Sequence, residues 1–307
     1  MPTPPAADSA TSAATRSGIL IFFCALTAFA LFDAFCKQML ETYSAPFMNL
    51  MRYTAVTVLA LLWLARSSGM ARADWRLWRA PHRGMLIWRS LMLSIVATCF
   101  MTALIWMPLA QATAIYFTAP LIMVAISPLM LGERVRMAQW LAVIAGFAGM
   151  LLIVRPGADL PLLGTVLMAI SAVCYALFQV LTRKLSGLVA APVQYAYMAL
   201  ICLLVTGIPA LFVLPAPWPS WPQLMLLLAG GFLSGLAHFL LLAAFRRVQA
   251  STLAPLNYIQ LLLAVLISTY WFNRPPDTIA MGGIAMIMAS GAYLALRRAH
   301  TTDSKPL

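Results

Sequence analysis

The sequence predicts an all-α integral membrane protein, with ten transmembrane helices arranged as two inverted five-helix repeats. Three observations predict this fold: the composition, ten apolar runs of membrane-spanning length, and a motif present in both halves. Of the 307 residues, 63% are hydrophobic and only 9% are charged, whereas a soluble domain typically carries about 25% charged residues. A water-soluble core cannot bury so much apolar surface, so we expect lipid to be the solvent.

Each apolar run is close to the ~20 residues that a helix needs to cross the hydrocarbon core of a bilayer. In chain order, the predicted spans are 18–37, 46–65, 84–106, 109–131, 138–154, 161–182, 192–213, 223–245, 250–272 and 278–296. Residues 1–16 are rich in Ala, Ser, Thr and Pro and are predicted to form a disordered tail. Residues 299–307 are predicted to form a C-terminal tail.

The spans form two related sets of five. Ala30-Leu31-Phe32-Asp33 in the first span matches Ala176-Leu177-Phe178-Gln179 in the sixth, and in both copies a basic residue follows four positions after the polar one. Because five is an odd number, the two copies cross the bilayer in opposite directions, as in many secondary transporters. We expect the first repeat to cover 17–157 and the second 158–298.

Lys and Arg predict the orientation. With the N-terminus placed in the cytoplasm, fifteen of the 20 basic residues fall in inner segments, three fall in outer segments, and Arg52 and Arg89 lie within or at the ends of spans. The positive-inside rule therefore predicts that both termini lie in the cytoplasm, and we expect a multi-pass protein of the bacterial inner membrane. Nucleic acid is excluded as the reason for the net charge of +12, because the basic residues sit in short loops and form no single stripe.

The stretch from Pro120 to Gly157 is the part of the sequence that most specifically resembles a known protein family. It contains Leu131-Gly132-Glu133-Arg134 and Val154-Arg155-Pro156-Gly157, and Ala254-Pro255-Leu256-Asn257-Tyr258 follows in the second half. On these residues the chain resembles the EamA family of the drug/metabolite transporter superfamily. The resemblance implies ten helices, a central cavity between the halves, and movement of small organic solutes, often outward. The second repeat of the family often carries an acidic residue after span nine, where this chain has Phe272-Asn273-Arg274-Pro275-Pro276-Asp277.

Ionisable side chains inside the spans are candidates for function, because a charge at the bilayer centre is costly. Asp33 and Lys37 stand four residues apart on one helix face, and we expect an ion pair that acts as a gate or contacts the solute or a proton. His238 lies in the middle of span eight, either as a proton relay or as a neutral packing histidine. Arg52 is predicted to be structural, pairing with Asp33 or Glu41 or reaching the membrane surface, with solute binding as the alternative.

Polar residues near two prolines predict the cavity wall. Pro120 interrupts span four and Pro255 interrupts span nine, and proline frees helix carbonyls that suit such a wall. Glu133 is predicted to be a structural latch at the cytoplasmic end of span four. Helix packing alone would equally explain the polar residues of these spans. The predicted substrate-binding residues are Asp33, Tyr116, Gln179, His238, Asn257 and Tyr258.

The sequence carries no motif for ATP binding or for enzymatic chemistry. GxxxxGK[ST], HExxH and GxSxG are all absent, and the five cysteines form no CxxC, so we predict no enzyme, no metal and no cofactor. The leading prediction is a secondary transporter that exports an amino acid or an amino-acid-derived metabolite by proton coupling or exchange. Flavin-like or nucleoside-like solutes and multidrug export are the alternatives, and a membrane-embedded enzyme would lack a positioned nucleophile. The predicted partners are the solute and the lipid bilayer, with the protein a monomer or a homodimer.

Overall fold

The structure, a computed structural model, describes residues 6–66, 80–131, 137–155, 160–185, 188–245, 247–248 and 254–302. These ranges contain helices and connecting turns, and no strand occurs within them. In chain order the helices are α1 (Ala6–Met39), α2 (Ala45–Arg66), α3 (Arg83–Trp106), α4 (Leu109–Tyr116), α5 (Ala119–Leu131), α6 (Met137–Val154), α7 (Leu162–Leu185), α8 (Ala191–Ala210), α9 (Trp221–Phe245), a 3₁₀ turn (Ala254–Tyr258), α10 (Ile259–Tyr270) and α11 (Thr278–Thr302).

Eight helical segments in the described ranges are long and apolar enough to cross a membrane. One of them, Leu109–Met130, combines α4 and most of α5, and two shorter apolar helices cover Leu256–Tyr270 and Thr278–Leu294. The predicted all-helical membrane protein is confirmed, and each of the ten predicted spans falls on one of these segments. At the ends, α1 begins at Ala6 and α11 runs to Thr302, so both helices extend into the segments that the sequence assigns to tails.

Pro120 interrupts the fourth span, as predicted. Phe117 and Thr118 separate α4 from α5, because proline lacks an N–H and its ring collides with the carbonyl four residues earlier, that of Tyr116. The Thr118 hydroxyl donates a hydrogen bond to the Ile115 carbonyl at 2.7 Å, and the Thr118 amide donates to the same oxygen at 3.0 Å. The break leaves the Tyr116 side chain half-buried in the middle of the span.

Helix packing relates the two halves of the chain. Helix α9 packs against α1 and α2, and α3 packs against their counterparts α7 and α8. In the same way α1 contacts α10 and α7 contacts α4, while α2 packs on α8 and α6 on α11, counterpart on counterpart. Exchanging the two sets of five spans therefore maps the main contacts onto one another, as expected for two related halves that interlock.

Two buried apolar clusters mark opposite ends of the bundle. One cluster contains Cys36 of α1, Phe47 of α2 and Leu227 of α9, and we name this end the α1–α2 face. The other contains Leu64 of α2 and Leu185 of α7, together with residues from the starts of α3 and α8, and we name this end the α7–α8 face. Because α2 contributes its start to the first cluster and its end to the second, the two faces lie on opposite sides of the fold.

An ion pair joins the end of α6 to the start of α11. Arg155 Nη2 lies 3.0 Å from Asp277 Oδ1, and the same carboxylate oxygen accepts the backbone N–H groups of Ile279 at 3.0 Å and Ala280 at 2.9 Å. Asp277 therefore caps the N-terminus of α11. The Ala280 N–H, followed by the Arg155 guanidinium, holds the pKa of Asp277 below its ordinary value.

We expect Asp277→Ala to lower the apparent melting temperature of the detergent-solubilised protein at neutral pH, because α11 loses its cap and Arg155 loses its partner. A carboxyl whose pKa is lowered by folding stabilises the folded state at pH values above its pKa in the unfolded chain, which is about 3.9 for Asp. That contribution is lost as the pH falls through the lowered pKa, so the gap between variant and wild type should close in acid. Glu41→Ala, which removes another exposed acid, is the matched control. Equal melting temperatures at neutral pH for wild type and Asp277→Ala would contradict this prediction.

Candidate functional site

Helix α1 presents an aromatic and acidic face that has a counterpart on α7. Phe29, Phe32 and Asp33 follow the i, i+3, i+4 spacing that places side chains on one face of a helix. The repeat register pairs them, in order, with Tyr175, Phe178 and Gln179 of α7. Aromatic residues thus occupy both aromatic positions of both copies, and the carboxylate of the first copy becomes an amide in the second.

The Arg52 side chain of α2 contacts this face of α1 at Phe32. Its Nε donates a hydrogen bond to Ser234 Oγ of α9 at 3.0 Å. Its guanidinium lies 4.6 Å from the centre of the Phe32 ring and 5.2 Å from that of Tyr53, both within cation–π range. Within the described residues Arg52 forms no ion pair, so the predicted pairing with Asp33 or Glu41 is wrong. Ring faces and a hydroxyl contact this cation directly, while the Asp33 carboxylate acts on it only from beyond ion-pair distance.

Two glycines of α9 bring Ser234 close to Arg52. A Cβ on Gly231 would lie 2.8 Å from the Ala55 Cβ and 3.0 Å from the Arg52 Cα, and a Cβ on Gly235 would run into a side chain of α2. Gly231 and Gly235 form a GxxxG pattern, which lets two helix backbones approach closely. The 3.0 Å hydrogen bond between Arg52 and Ser234 depends on this approach.

We expect Gly231→Ala to separate α2 from α9 and to reduce both the apparent melting temperature and solute transport. The added methyl would meet the backbone of Arg52, which cannot move aside as a flexible side chain can. Gly282→Ala is the matched control, because a Cβ at Gly282 meets nothing within 4 Å. If both variants behave like the wild type in a thermal-shift assay and in transport, this helix contact does not maintain the site.

Ser234 also links Arg52 to His238. The Nδ1 atom of His238 lies 2.9 Å from the Ser234 carbonyl oxygen, one turn earlier on α9. The His238 ring packs edge-to-face on Phe29, with 4.7 Å between ring centres. The predicted mid-span histidine is thus half-buried beside the α1 face, with one ring nitrogen bound to the backbone.

Asp33 and Lys37 do not pair, so the predicted ion pair between them is wrong. The Asp33 Oδ2 atom accepts a hydrogen bond from Gln260 Nε2 of α10 at 3.3 Å. Lys37 instead donates to the Leu104 carbonyl, in the last turn of α3. Carbonyls in the last turn of a helix lack a helical partner and attract cations, so α3 competes successfully for this side chain. Asp33 is left as a half-buried carboxylate without a cationic partner within ion-pair distance in the described part of the chain.

Tyr116 is the centre of a row of aromatic rings. Its ring centre lies 4.8 Å from that of Tyr175 and 5.2 Å from that of Phe100. Tyr175 in turn stacks on Phe178, with 5.9 Å between ring centres and 14° between planes. The row joins the helix break of span four to the α7 face, and its flat surfaces suit a planar or cationic group.

Arg89 of α3 occupies the far end of this row, and the sequence did not single it out as a site residue. It is 6% exposed. Its Nε donates to Thr182 Oγ1 at 2.6 Å, its Nη1 donates to the Gln194 carbonyl at 3.2 Å, and its guanidinium lies 4.5 Å from the centre of the Phe178 ring. The signal that could have found it is an arginine inside an apolar run, combined with the repeat match of Phe178 to Phe32.

The contacts and burial of the remaining predicted residues differ from one residue to the next. Tyr258 packs against Phe117, and its hydroxyl sits over Gly291 of α11 without a hydrogen-bond partner among the described residues. This placement favours the packing interpretation of Tyr258.

Asn257 is half-buried in the 3₁₀ turn that also contains Pro255. Gln179 is half-buried on the α7 face, and Glu133 lies outside the described residues. Among the described residues, no cluster of His, Cys, Asp and Glu side chains could hold a metal ion.

Comparison with known proteins finds one transporter family and several transporters of small molecules. The sequence profile of the EamA-like transporter family matches residues 16–155 and again residues 162–296. A riboflavin transporter of Rhizobium johnstonii is 28% identical, over 75% of this chain and 77% of its own length. An S-adenosylmethionine uptake transporter of Rickettsia conorii is 26% identical, over 71% and 75% respectively. A pseudopaline exporter of Pseudomonas aeruginosa is 28% identical, over 92% and 96%.

A solved crystal structure shares the fold. It superposes with a TM-score of 0.66 at 21% sequence identity, and the match covers 92% of this chain and 99% of that protein. At this identity the likeness concerns the architecture of the helices alone.

Proposed function

Since this chain belongs to the EamA-like transporter family, we propose that it is a secondary transporter of an amino-acid-derived metabolite that carries a carboxylate. We further propose that it resides in the bacterial inner membrane with both termini in the cytoplasm and that it exports this solute. The observation that carries the proposed substrate class is Arg52, a cation at membrane depth that is held by rings and a hydroxyl and forms no ion pair in the described part of the chain. A guanidinium in such surroundings is suited to bind a carboxylate through charge-assisted hydrogen bonds.

The aromatic row would hold the rest of the solute. The Tyr116 and Tyr175 rings offer flat apolar surfaces beside hydroxyl groups, a combination that fits the mixed apolar and polar body of an amino-acid derivative. Export is supported by the pseudopaline exporter, which aligns with 92% of this chain. The uptake transporter for S-adenosylmethionine aligns over a shorter stretch, 71% of the chain.

Asp33 is the proposed proton carrier. Its carboxylate is bound by the Gln260 amide and forms no ion pair within the described ranges. An ionised carboxylate at membrane depth is costly, and uptake of a proton removes that cost. His238, joined to Arg52 through Ser234, is the second candidate in the same group.

A flavin-like solute is the second candidate, and a specific observation favours it. Tyr175 and Phe178 are stacked nearly parallel, at 14°, and extend the row from Tyr116. A fused planar ring could lie along such a row, and one relative is named a riboflavin transporter. In this reading the rings carry the affinity and Arg52 contributes less.

A thermal-shift screen of the purified protein tests the proposal. A ligand that binds only the folded state stabilises it by mass action, by about 2.7 kcal/mol at a hundredfold excess over Kd. The panel pairs each carboxylate with an analogue that lacks it, such as tyrosine with tyramine, and adds riboflavin, nucleosides and lipophilic cations. Stabilisation by amino-acid derivatives and not by their carboxylate-free analogues would support the proposed solute class. Stabilisation by riboflavin alone, or by cations alone, would replace it.

A further inference from the structure

Two arginines occupy matching places in the two halves of the fold, although they come from different helices. Arg52 lies among α1, α2 and α9, where it stacks on Phe32 of α1. Arg89 lies among α7, α8 and α3, where it stacks on Phe178 of α7. The repeat exchanges these two sets of three helices, and it pairs Phe32 with Phe178. Each half therefore holds one guanidinium on the same aromatic position.

The two arginines point to opposite ends of the bundle. Arg52 lies seven residues after the start of α2, on the α1–α2 face. Arg89 lies six residues after the start of α3, and its partner Thr182 lies three residues before the end of α7, on the α7–α8 face. Arg89 and Phe178 begin the row of rings that runs through Tyr175 to Tyr116.

Arg89 has more hydrogen-bonding capacity than its contacts use. A guanidinium carries several N–H donors, and in the described part of the chain only Nε and Nη1 of Arg89 are engaged, without an acidic partner. A bond between helices requires no permanent charge, since a neutral amide would bridge Thr182 and Gln194 without the cost of a buried cation. Thr182 and Phe178, the side chains that contact the guanidinium, are half-buried, while Arg89 itself is 6% exposed.

We propose that Arg89, with Thr182 and Phe178, is a second anion-binding subsite of the transporter. It takes the carboxylate of the solute when the path opens toward the α7–α8 face, whereas Arg52, with Ser234 and Phe32, takes it when the path opens toward the α1–α2 face. The proposal rests on the proposed function, because it gives each face of the membrane its own cation for the same carboxylate. The aromatic row connects the two subsites.

Cysteine labelling tests this subsite without the natural solute. The accessible cysteines Cys24, Cys99 and Cys174 are replaced by serine, and the buried Cys36 and Cys202 are kept. Thr182→Cys is introduced, and the protein in proteoliposomes is treated with a negatively charged sulfonate methanethiosulfonate and, separately, with a positively charged ammonium one. A fixed positive potential raises the local concentration of an anion by about tenfold or more.

At Thr182→Cys we expect the sulfonate reagent to react faster than the ammonium reagent. We expect this reaction only from the α7–α8 side. Arg89→Gln should lower the preference for the sulfonate reagent by about tenfold. Lys184→Gln, which removes an exposed positive charge two residues away, should leave the preference unchanged. At Ser234→Cys the sulfonate reagent should likewise react faster, but only from the α1–α2 side. Adding Arg52→Gln should lower that preference. If Thr182→Cys is not recovered folded, Gln179→Cys, one turn earlier on α7, reports on the same face.

Two results would overturn the proposal: a reagent preference that Arg89→Gln leaves unchanged, or the absence of reaction at both Thr182→Cys and Gln179→Cys. Either result would make Arg89 a sealed link between helices. Failure of the proposed function has a different signature, in which no carboxylate stabilises the wild-type protein while the labelling pattern is still obtained.

Discussion

Asp33→Asn is expected to abolish proton-driven accumulation of the solute while leaving solute exchange intact. Asparagine keeps an oxygen at the position that accepts the Gln260 hydrogen bond, so the contact between α1 and α10 can persist. It cannot take up or release a proton, so the solute flux loses its coupling to the pH gradient. A gradient of about one pH unit corresponds to about tenfold accumulation per coupled proton. We expect that factor in the wild type and none in the variant.

Proteoliposomes with an acidic interior provide the measurement, because proton antiport then drives the solute inward. Exchange is measured in the same vesicles, with unlabelled solute inside and no pH gradient. Glu41→Gln, which neutralises an exposed acid beyond the end of α1, is the control for a general effect of charge. His238→Ala tests the second candidate by the same pair of assays. If Asp33→Asn and His238→Ala both accumulate solute like the wild type, neither Asp33 nor His238 carries the proton.

The helices were predictable because a single physical quantity, the thickness of the bilayer, sets their length. The break at Pro120 was predictable as well, since proline removes a donor and collides with the preceding turn wherever it stands. These features depend on local sequence and on the solvent. They need no knowledge of which helix is the neighbour.

The contacts of long side chains were not predictable from spacing. Lys37 stands four residues from Asp33, but the last turn of α3 offers a carbonyl that attracts its ammonium group. Tyr258 was placed near the cavity by its distance from Pro255, but Gly291 opens a slot in α11 that accepts its ring. In both cases the partner belongs to a helix far away in the sequence.

Arg89 shows why a site residue can escape sequence analysis. Six residues from the start of its helix, an arginine could reach the membrane surface, so its position alone signals nothing. It is buried because α7 and α8 close over it with Thr182 and Gln194. The clue lay in the repeat, where Phe178 occupies the place of Phe32, but only the folded chain gives both rings an arginine.

Arg52→Gln is expected to weaken binding of a carboxylate solute by about 30-fold to 1,000-fold, which corresponds to about 2–4 kcal/mol for removing one partner of a buried, hydrogen-bonded charge pair. Glutamine can still donate to Ser234 Oγ, so the contact between α2 and α9 is retained. Arg52→Lys keeps the charge but loses the planar fork and the stacking on Phe32, so its affinity should fall between those of the wild type and Arg52→Gln.

The comparison of a carboxylate with its carboxylate-free analogue separates binding from folding in this experiment. If Arg52 contacts the carboxylate, Arg52→Gln lowers the affinity for the acid and does not lower the weak affinity for the analogue, because the analogue never used the guanidinium. The affinities are measured by titration of the purified protein, with Lys184→Gln as the matched loss of one exposed charge. An equal loss for acid and analogue, together with a lower melting temperature, would assign Arg52 to the packing of α2 on α9. The carboxylate would then have to be bound elsewhere in the protein.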